Sequence, residues 1–303
     1  MKNKNLLGTL ELLIAAFIWG STFVAQSDGM NYVGPLTYIM VRFAIGGAVL
    51  IPVFLIKDRF TKKRTGVKPK TELKPLLAGG VVCGIILTVA AVLQQYGIIY
   101  TSVGNAGFIT TLYVIMVPLC SVFFKKLPSL NVWASVIIAI VGLYLLCITD
   151  RLMLGLGDTL VLLCAVCFTA HILALDHFVT KVDPIKLSCL QFFTVSAVTA
   201  IPAIVLEQNS LESILNAWLP ILWAGVLSSG VAYTLQTVAQ KNAEPTIAAI
   251  TMSLESVFAI ISGAVVLGEI PTTRKLLGCI IMFAAIILAQ FPAKWFSLKK
   301  VRH

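Results

Sequence analysis

Residues Pro75 to Phe124 read PLLAGGVVCGIILTVAAVLQQYGIIYTSVGNAGFITTLYVIMVPLCSVFF, fifty consecutive positions without an Asp, Glu, Lys, Arg or His. As one helix the stretch would run about 75 Å at about 1.5 Å per residue, more than twice the roughly 30 Å hydrocarbon core of a bilayer. It must therefore fold back, and Thr101-Ser102-Val103-Gly104-Asn105 is the turn. In lipid every backbone N–H and C=O must be paired inside the chain, which leaves helices or a closed barrel. The segment lacks the two-residue alternation of a barrel strand, so it reads as two membrane helices.

The rest of the chain follows this pattern. Hydrophobic residues make up 58% and charged residues 12% of 303 positions, with mean hydropathy +0.95. Soluble domains lie near about 45–50% apolar and about 25% charged. Spans between polar breaks fall at 6–27, 34–56, 75–97, 103–124, 129–149, 157–176, 185–206, 217–240, 246–267 and 274–293. The expected fold is an all-α integral membrane protein of ten transmembrane helices. Residues 57–74, with eight basic and two acidic positions (Asp58, Glu72), read as a loop. The other connections are too short for a soluble domain.

Basic residues orient the bundle. With the N-terminus inside, nineteen of them, from Lys2 and Lys4 through the 57–74 loop to Lys299, Lys300 and Arg302, fall in cytoplasmic segments; Arg151, Arg274 and Lys275 fall outside. That asymmetry places both termini in the cytoplasm. The net charge of +10 then reports topology and contact with an anionic lipid bilayer, and no nucleic-acid partner is expected. The apolar run after Lys4 continues past Trp19 to about Gln26 without a small-residue cleavage site, so it reads as a retained anchor. All seven cysteines lie within predicted spans, and the Cys164/Cys167 pair lacks further metal ligands nearby; no disulfide framework, metal or cofactor is expected. No phosphate-binding loop, HExxH pair or serine elbow occurs.

The chain also repeats itself. An offset of 149 sets Leu13 on Leu162, Pro35 on Pro184, Phe43 on Phe192 and Ala48 on Ala197; further on, an offset of 142 sets Gln94 on Gln236, Ala106 on Ala248 and Leu112 on Leu254. Residues 1–149 and 150–303 are thus two copies of a five-helix unit, the second followed by a basic tail. Five crossings are odd, so the second copy is inverted, the arrangement from which many secondary transporters obtain inward-open and outward-open states. The halves are expected to move largely as bodies.

Polar groups inside hydrocarbon carry the functional signal, because each charge there costs about 2.5–3.5 kcal/mol on insertion scales. Arg42 and Glu255 both lie near the midplane of their spans. Together they are candidates to line a central cavity, Arg42 holding a substrate carboxylate or pairing with Glu255, and Glu255 accepting a proton or a cationic group. A structural ion pair is the alternative. His171 equates with Thr22 under the first offset, so both should face the pseudo-symmetric centre, the histidine either carrying protons or simply hydrogen-bonded inside the bundle. Tyr113 equates with Glu255, and Gln94 with Gln236, which adds a matched polar set; Trp19 is deep enough to form a cavity wall.

The stretch Ala15-Ala16-Phe17-Ile18-Trp19-Gly20-Ser21-Thr22-Phe23, Arg42-Phe43, Ser253-Leu254-Glu255 and Leu267-Gly268-Glu269 together resemble the drug/metabolite transporter superfamily, EamA type, over nearly the whole chain. Ser256 stands where the family usually has a proline after the helix 9 glutamate, and Lys125-Lys126-Leu127-Pro128 where the first copy could carry a Gly-Glu. The resemblance implies two inverted five-helix repeats around a central path and transport of amino acids or other small metabolites. The expectation is a secondary transporter and not an enzyme: a permease of the cytoplasmic membrane, moving a small-molecule substrate by alternating access. An amino acid is the candidate cargo and a homodimer a candidate assembly. The rivals are a lipid-modifying membrane enzyme and a structural or regulatory membrane protein, and they are separated by whether Arg42, Glu255 and His171 share one wet cavity.

Overall fold

The computed structural model of the chain describes residues 2–67, 71–101, 103–123, 128–147, 155–208, 210–267 and 271–291, and among these it is entirely helical. In order the helices are α1 (Lys2–Gly29), α2 (Pro35–Thr65), α3 (Leu73–Tyr100), α4 (Val103–Thr110), α5 (Tyr113–Phe123), α6 (Leu130–Cys147), α7 (Leu156–Phe178), α8 (Pro184–Leu206), α9 (Leu211–Asn216) and α10 (Trp218–Leu222). A π-helical segment (Trp223–Ala232) then leads into α11 (Tyr233–Gln240), α12 (Pro245–Met252), α13 (Glu255–Leu267) and α14 (Thr273–Gln290). Gly268-Glu269, Trp295 and the basic residues Lys68, Lys70, Lys125, Lys126, Arg151, Lys294, Lys299, Lys300 and Arg302 lie outside the described residues.

Eight helical stretches are long and apolar enough to cross a bilayer: Leu7–Gly29, Pro35–Thr65, Leu73–Tyr100, Ala106–Phe123, Leu156–Phe178, Pro184–Leu206, Trp218–Gln240 and Pro245–Ser262. Leu130–Leu145 is a shorter apolar helix, and its element α6 packs along α14. Length and composition thus account for eight of the ten expected spans. One boundary is corrected: α2 continues through Lys57 to Thr65, into the stretch expected as loop. Its last turn carries Lys62, Lys63 and Arg64, which favour a helix C-terminus, and Gly66 at φ 72° ends it by donating its N–H to Lys62 O at 2.8 Å.

Local chemistry sets the other ends. Pro35, Pro184 and Pro245 stand in the first turns of α2, α8 and α12, where a missing N–H is harmless. Asp183 caps α8, accepting from Ile185 N at 3.0 Å and Lys186 N at 3.2 Å. Gly34 precedes α2 at the position equivalent to Asp183, and it has no side chain to offer. There Glu207, at the end of α8, reaches across to accept from Leu36 N and Thr37 N, both at 2.8 Å. At the other end of the same helix pair Lys57 bonds Asp183, and Lys186 reaches Asp58 at 2.7 Å and Thr71 at 2.8 Å. Helices α2 and α8 are therefore fastened at both ends, the Glu207 end and the Lys57 end.

Two spans are broken at positions equated by the second offset. The break between α4 and α5 is at Thr111-Leu112, and that between α12 and α13 at Ser253-Leu254. In each, the first residue turns its hydroxyl onto its own helix: Thr111 Oγ1 onto Gly107 O and Phe108 O at 3.1 and 2.8 Å, Ser253 Oγ onto Ile250 O at 2.7 Å. A side chain that takes carbonyls from the ladder loosens it, and the next amides, Leu112 N to Ile109 O and Leu254 N to Thr251 O, tighten to three-residue spacing.

The core is distributed between helix pairs. Helix α3 lies along α7, α2 along α8, and α1 against α13 and the π-helical segment. The largest apolar cluster, with Phe43, Phe168, Phe192 and Tyr233, fills the middle of the bundle.

Candidate functional site

The two helix breaks meet. Thr111 Oγ1 lies 3.3 Å from Ser256 Oγ, which reaches Gly107 O at 3.2 Å, and the Tyr113 hydroxyl donates to Glu255 Oε1 at 3.2 Å. Beside them is a cavity with about 40 Å³ of room for the centre of a water molecule. About 10–15 Å³ on that measure holds one water, so the space admits a small polar group or molecule.

The lining is built in pairs that the offsets equate. Trp19 and Phe168 face it, as do Phe23 and Ile172, Gln94 and Gln236, Thr110 and Met252, and Tyr113 and Glu255. The cavity is therefore lined by equated positions from both halves of the chain. Thr22, Gln26, Ser228 and Tyr233 complete it without a matching partner. Of the residues singled out from sequence, Trp19, Thr22, Gln94, Tyr113, Gln236 and Glu255 are brought together here. Phe168 and Ile172 could have been found by carrying Trp19 and Phe23 across the offset. Tyr233 and Gln26 had no such signal, since they equate with Ala91 and Leu175.

Glu255 is 5% exposed, and among the described residues it forms no ion pair. Gln94 Nε2 donates to Thr110 Oγ1 at 3.3 Å. Three lining atoms have no hydrogen-bond partner: Trp19 Nε1, Gln26 Oε1 and Gln236 Oε1. Buried polar atoms are usually paired, and the unpartnered groups among these lining residues suit the cavity to a polar occupant. The Trp19 and Tyr233 rings meet edge to face, their centroids 4.8 Å apart.

Arg42 and His171 do not line the cavity, which corrects the expectation that they share it with Glu255. Arg42 is 1% exposed on the flank where α2 packs against α8 and the π-helical segment. Its guanidinium carbon sits 4.8 Å from the centroid of Phe43 and 5.7 Å from that of Tyr38, with Nε and Nη1 unpartnered. Phe43 packs in turn on Tyr233, with which Arg42 also interacts electrostatically, so Arg42 sits behind a lining residue without facing the cavity itself. Depth along a span is readable from sequence; the direction a side chain takes around the helix is decided by packing. His171 Nε2 lies 2.9 Å from Gln191 Oε1, inside the bundle and off the cavity.

A second space opens alongside the contact between α5 and α7. This groove, about 1090 Å³, runs between Met116, Cys120 and Ser121 of α5 and Thr169, Leu173 and His177 of α7, with Lys181 and Pro245 at the Lys57 end. One layer of side chains divides it from the cavity: on α7, Phe168 and Ile172 face the cavity while Thr169 and Leu173 face the groove. The equivalent junction in the other half, α1 against α13, is closed. A Cβ placed on Gly20 would lie 2.6 Å from Glu255 O, 2.6 Å from Phe258 Cβ and 2.7 Å from Ala259 N.

The family model for the EamA-like transporter family matches residues 6–148 and again 155–291. An uncharacterized transporter of Archaeoglobus fulgidus is 29% identical over 288 residues, covering 95% of this chain and 87% of its own. The uncharacterized transporter YwfM of Bacillus subtilis is 26% identical over 297 residues, 96% of each chain. A solved crystal structure superposes with a TM-score of 0.78 over 96% of this chain and 99% of its own; at 18% identity that likeness concerns the fold alone.

Proposed function

This chain belongs to the EamA-like transporter family, and from that premise we propose that it is a secondary transporter carrying a small metabolite through the cavity at the helix breaks by alternating access. It is a multi-pass membrane protein. In the reading advanced here it sits in the cytoplasmic membrane, with ten crossings as two inverted repeats, residues 1–149 and 150–303, and α6 and α14 supplying the crossings that length alone does not. Both termini and the Lys57 end then face the cytoplasm.

One observation carries the proposal: a cavity lined by equated positions from both halves, walled by two discontinuous helices, with the equivalent junctions on either side of it unlike. Broken helices at a repeat interface are where secondary transporters bind their cargo. The α1/α13 junction is packed shut, while the α7/α5 junction holds the groove with one layer of side chains between it and the cavity; in this reading the state is occluded and poised to open toward the Lys57 end. The exchange of open and closed between these two junctions is the transport step. Because α2 and α8 are fastened at both ends, their contact is the pivot, and the movement is carried by α1, α7 and the broken helices rather than by whole halves.

A cysteine pair at Met116 and Thr169, in a chain depleted of its native cysteines, tests this. In proteoliposomes, cross-linking across the groove should stop metabolite flux, and reductant should restore it. Full flux with the pair quantitatively cross-linked would refute the moving junction.

A further inference from the structure

We infer that the cargo of this cavity is a small protonated amine, bound through Glu255 and the aromatic corner of Trp19 and Tyr233. The inference rests on the transport reading and adds the chemical class of the substrate.

The lining decides the sign of the charge. Among the described residues no Lys, Arg or His faces the cavity, and its one ionisable carboxyl is Glu255. The two strongest candidates for binding an anion, Arg42 and His171, are both held off the lining by their own partners, the Phe43 ring and Gln191. A carboxylate cargo would thus be desolvated with no cationic side chain in the lining to contact it, which is costly in a low-dielectric site. An ammonium meets the opposite situation.

The orphaned atoms decide the hydrogen bonding. The side-chain amides of Gln26 and Gln236 have no hydrogen-bond partner among the described residues, and each offers a carbonyl oxygen that can accept as well as an NH2 that can donate. Glu255 is held at Oε1 by the Tyr113 hydroxyl and is an acceptor as well. An ammonium can donate to Glu255 and to the two amide oxygens, which a quaternary nitrogen cannot do. Trp19 Nε1 is an unpartnered donor, and the Nε2 groups of Gln26 and Gln236 add further donors, so the cargo also carries an acceptor, a hydroxyl or carbonyl, a short chain away from the nitrogen. The Trp19 and Tyr233 rings, perpendicular neighbours on the wall, offer the π faces on which a desolvated cation gains further binding. The cavity's size restricts the part held here to a few heavy atoms.

The test is a matched series on the purified full-length chain: ethanolamine, ethylene glycol and glycolate, the same two-carbon hydroxyl scaffold with a cationic, neutral or anionic end. Binding is read by ligand-observed magnetic resonance at millimolar concentration and flux by radiolabel in proteoliposomes. Ethanolamine should bind at least about tenfold tighter than either analogue. Glu255→Gln, which keeps the shape and the Tyr113 bond, should erase that margin, and Glu255→Asp should keep part of it. Glycolate or ethylene glycol binding as tightly as ethanolamine, or an ethanolamine margin untouched by Glu255→Gln, would overturn the amine assignment. If a metabolite extract shows flux of anionic or neutral compounds that Glu255→Gln abolishes, transport stands and the amine class falls. If no compound of any charge moves and none of the series binds, both fall.

Discussion

The junction of α1 with α13 and the junction of α7 with α5 are one arrangement occurring twice, and they differ. Gly20 in the first equates with Thr169 in the second, Glu255 with Tyr113, and Phe258 with Met116. Gly20 has no side chain, so the α13 backbone comes against it, with Glu255 O and Ala259 N where a Cβ would stand. Thr169 carries a branched side chain, and Met116 faces it across the groove that opens alongside. Repetition explains the topology. Single positions that break the repetition explain which junction is shut.

The largest effect is expected at Gly20. Gly20→Leu forces a side chain against backbone that cannot rotate away, so the junction must open, at about 1–3 kcal/mol or more. Transport should fall to the level of empty liposomes, with a lowered melting temperature in detergent. Thr169→Gly at the equivalent position removes a buried side chain without forcing the helices apart, and should cost about 1–2 kcal/mol and leave transport measurable. Equal effects at the two sites would break the comparison.

The two ends of the α2/α8 pair sharpen it at intermediate scale. Each helix start is capped by a carboxylate, Asp183 from its own chain segment and Glu207 from the neighbouring helix. A Cβ at Gly34 would lie 2.3–2.7 Å from the Glu207 carboxylate. Gly34→Ala should therefore push that carboxylate off Leu36 and Thr37 and cost about 1 kcal/mol, close to the cost of Asp183→Ala. Thermal unfolding of the two variants side by side measures this. A neutral Gly34→Ala would mean that the borrowed cap is dispensable and α2 is free to part from α8.

A smaller effect isolates charge from capping. Asp183→Asn keeps a good cap and loses the Lys57 pair, so the change should stay below about 1 kcal/mol and shrink further in salt. Partial burial alone would raise the Asp183 carboxyl, but the Lys57 ammonium and the amides of Lys186 and Ile185 outweigh it and hold it below its ordinary value. The stabilisation is then complete above the unfolded-state value of about 3.9 and is lost as pH falls through the lower folded value. Melting curves of wild type and Asp183→Asn should converge in acid; a gap that widens there would contradict the assignment.

Smallest of all is the coupling between Arg42 and Glu255. Because no ion pair joins them, the stability effects of Arg42→Met and Glu255→Gln should add within about 0.5 kcal/mol in a double-mutant cycle. A coupling of several kcal/mol would restore the paired arrangement that the sequence allowed.

Much of the site was readable before any coordinates. Trp19, Thr22, Gln94, Tyr113, Gln236 and Glu255 stand out because polar and aromatic residues are conspicuous in an apolar chain, and the offsets assign them to one centre. Arg42 and His171 stood out for the same reason and lie elsewhere, since polarity marks a residue as needing a partner without saying whether that partner is a ring, an amide or a cavity. Tyr233 and Gln26 are conspicuous in type but equate with Ala91 and Leu175, so the offsets do not assign them to that centre.

From sequence alone, the charge-free runs, the odd count of expected crossings and the repeated positions determine a helical membrane bundle of two related halves, because the cost of unpaired backbone in lipid leaves so few alternatives. Tertiary structure alone decided the rest. The hydroxyls of Thr111 and Ser253 bond locally, as those of Thr22, Thr88 and Thr199 do in unbroken helices; the meeting of the two breaks, and the close approach at Gly20 but not at Thr169, depend on which helix faces come together. Those contacts arise from packing between segments more than a hundred residues apart, and local pattern carries no record of it.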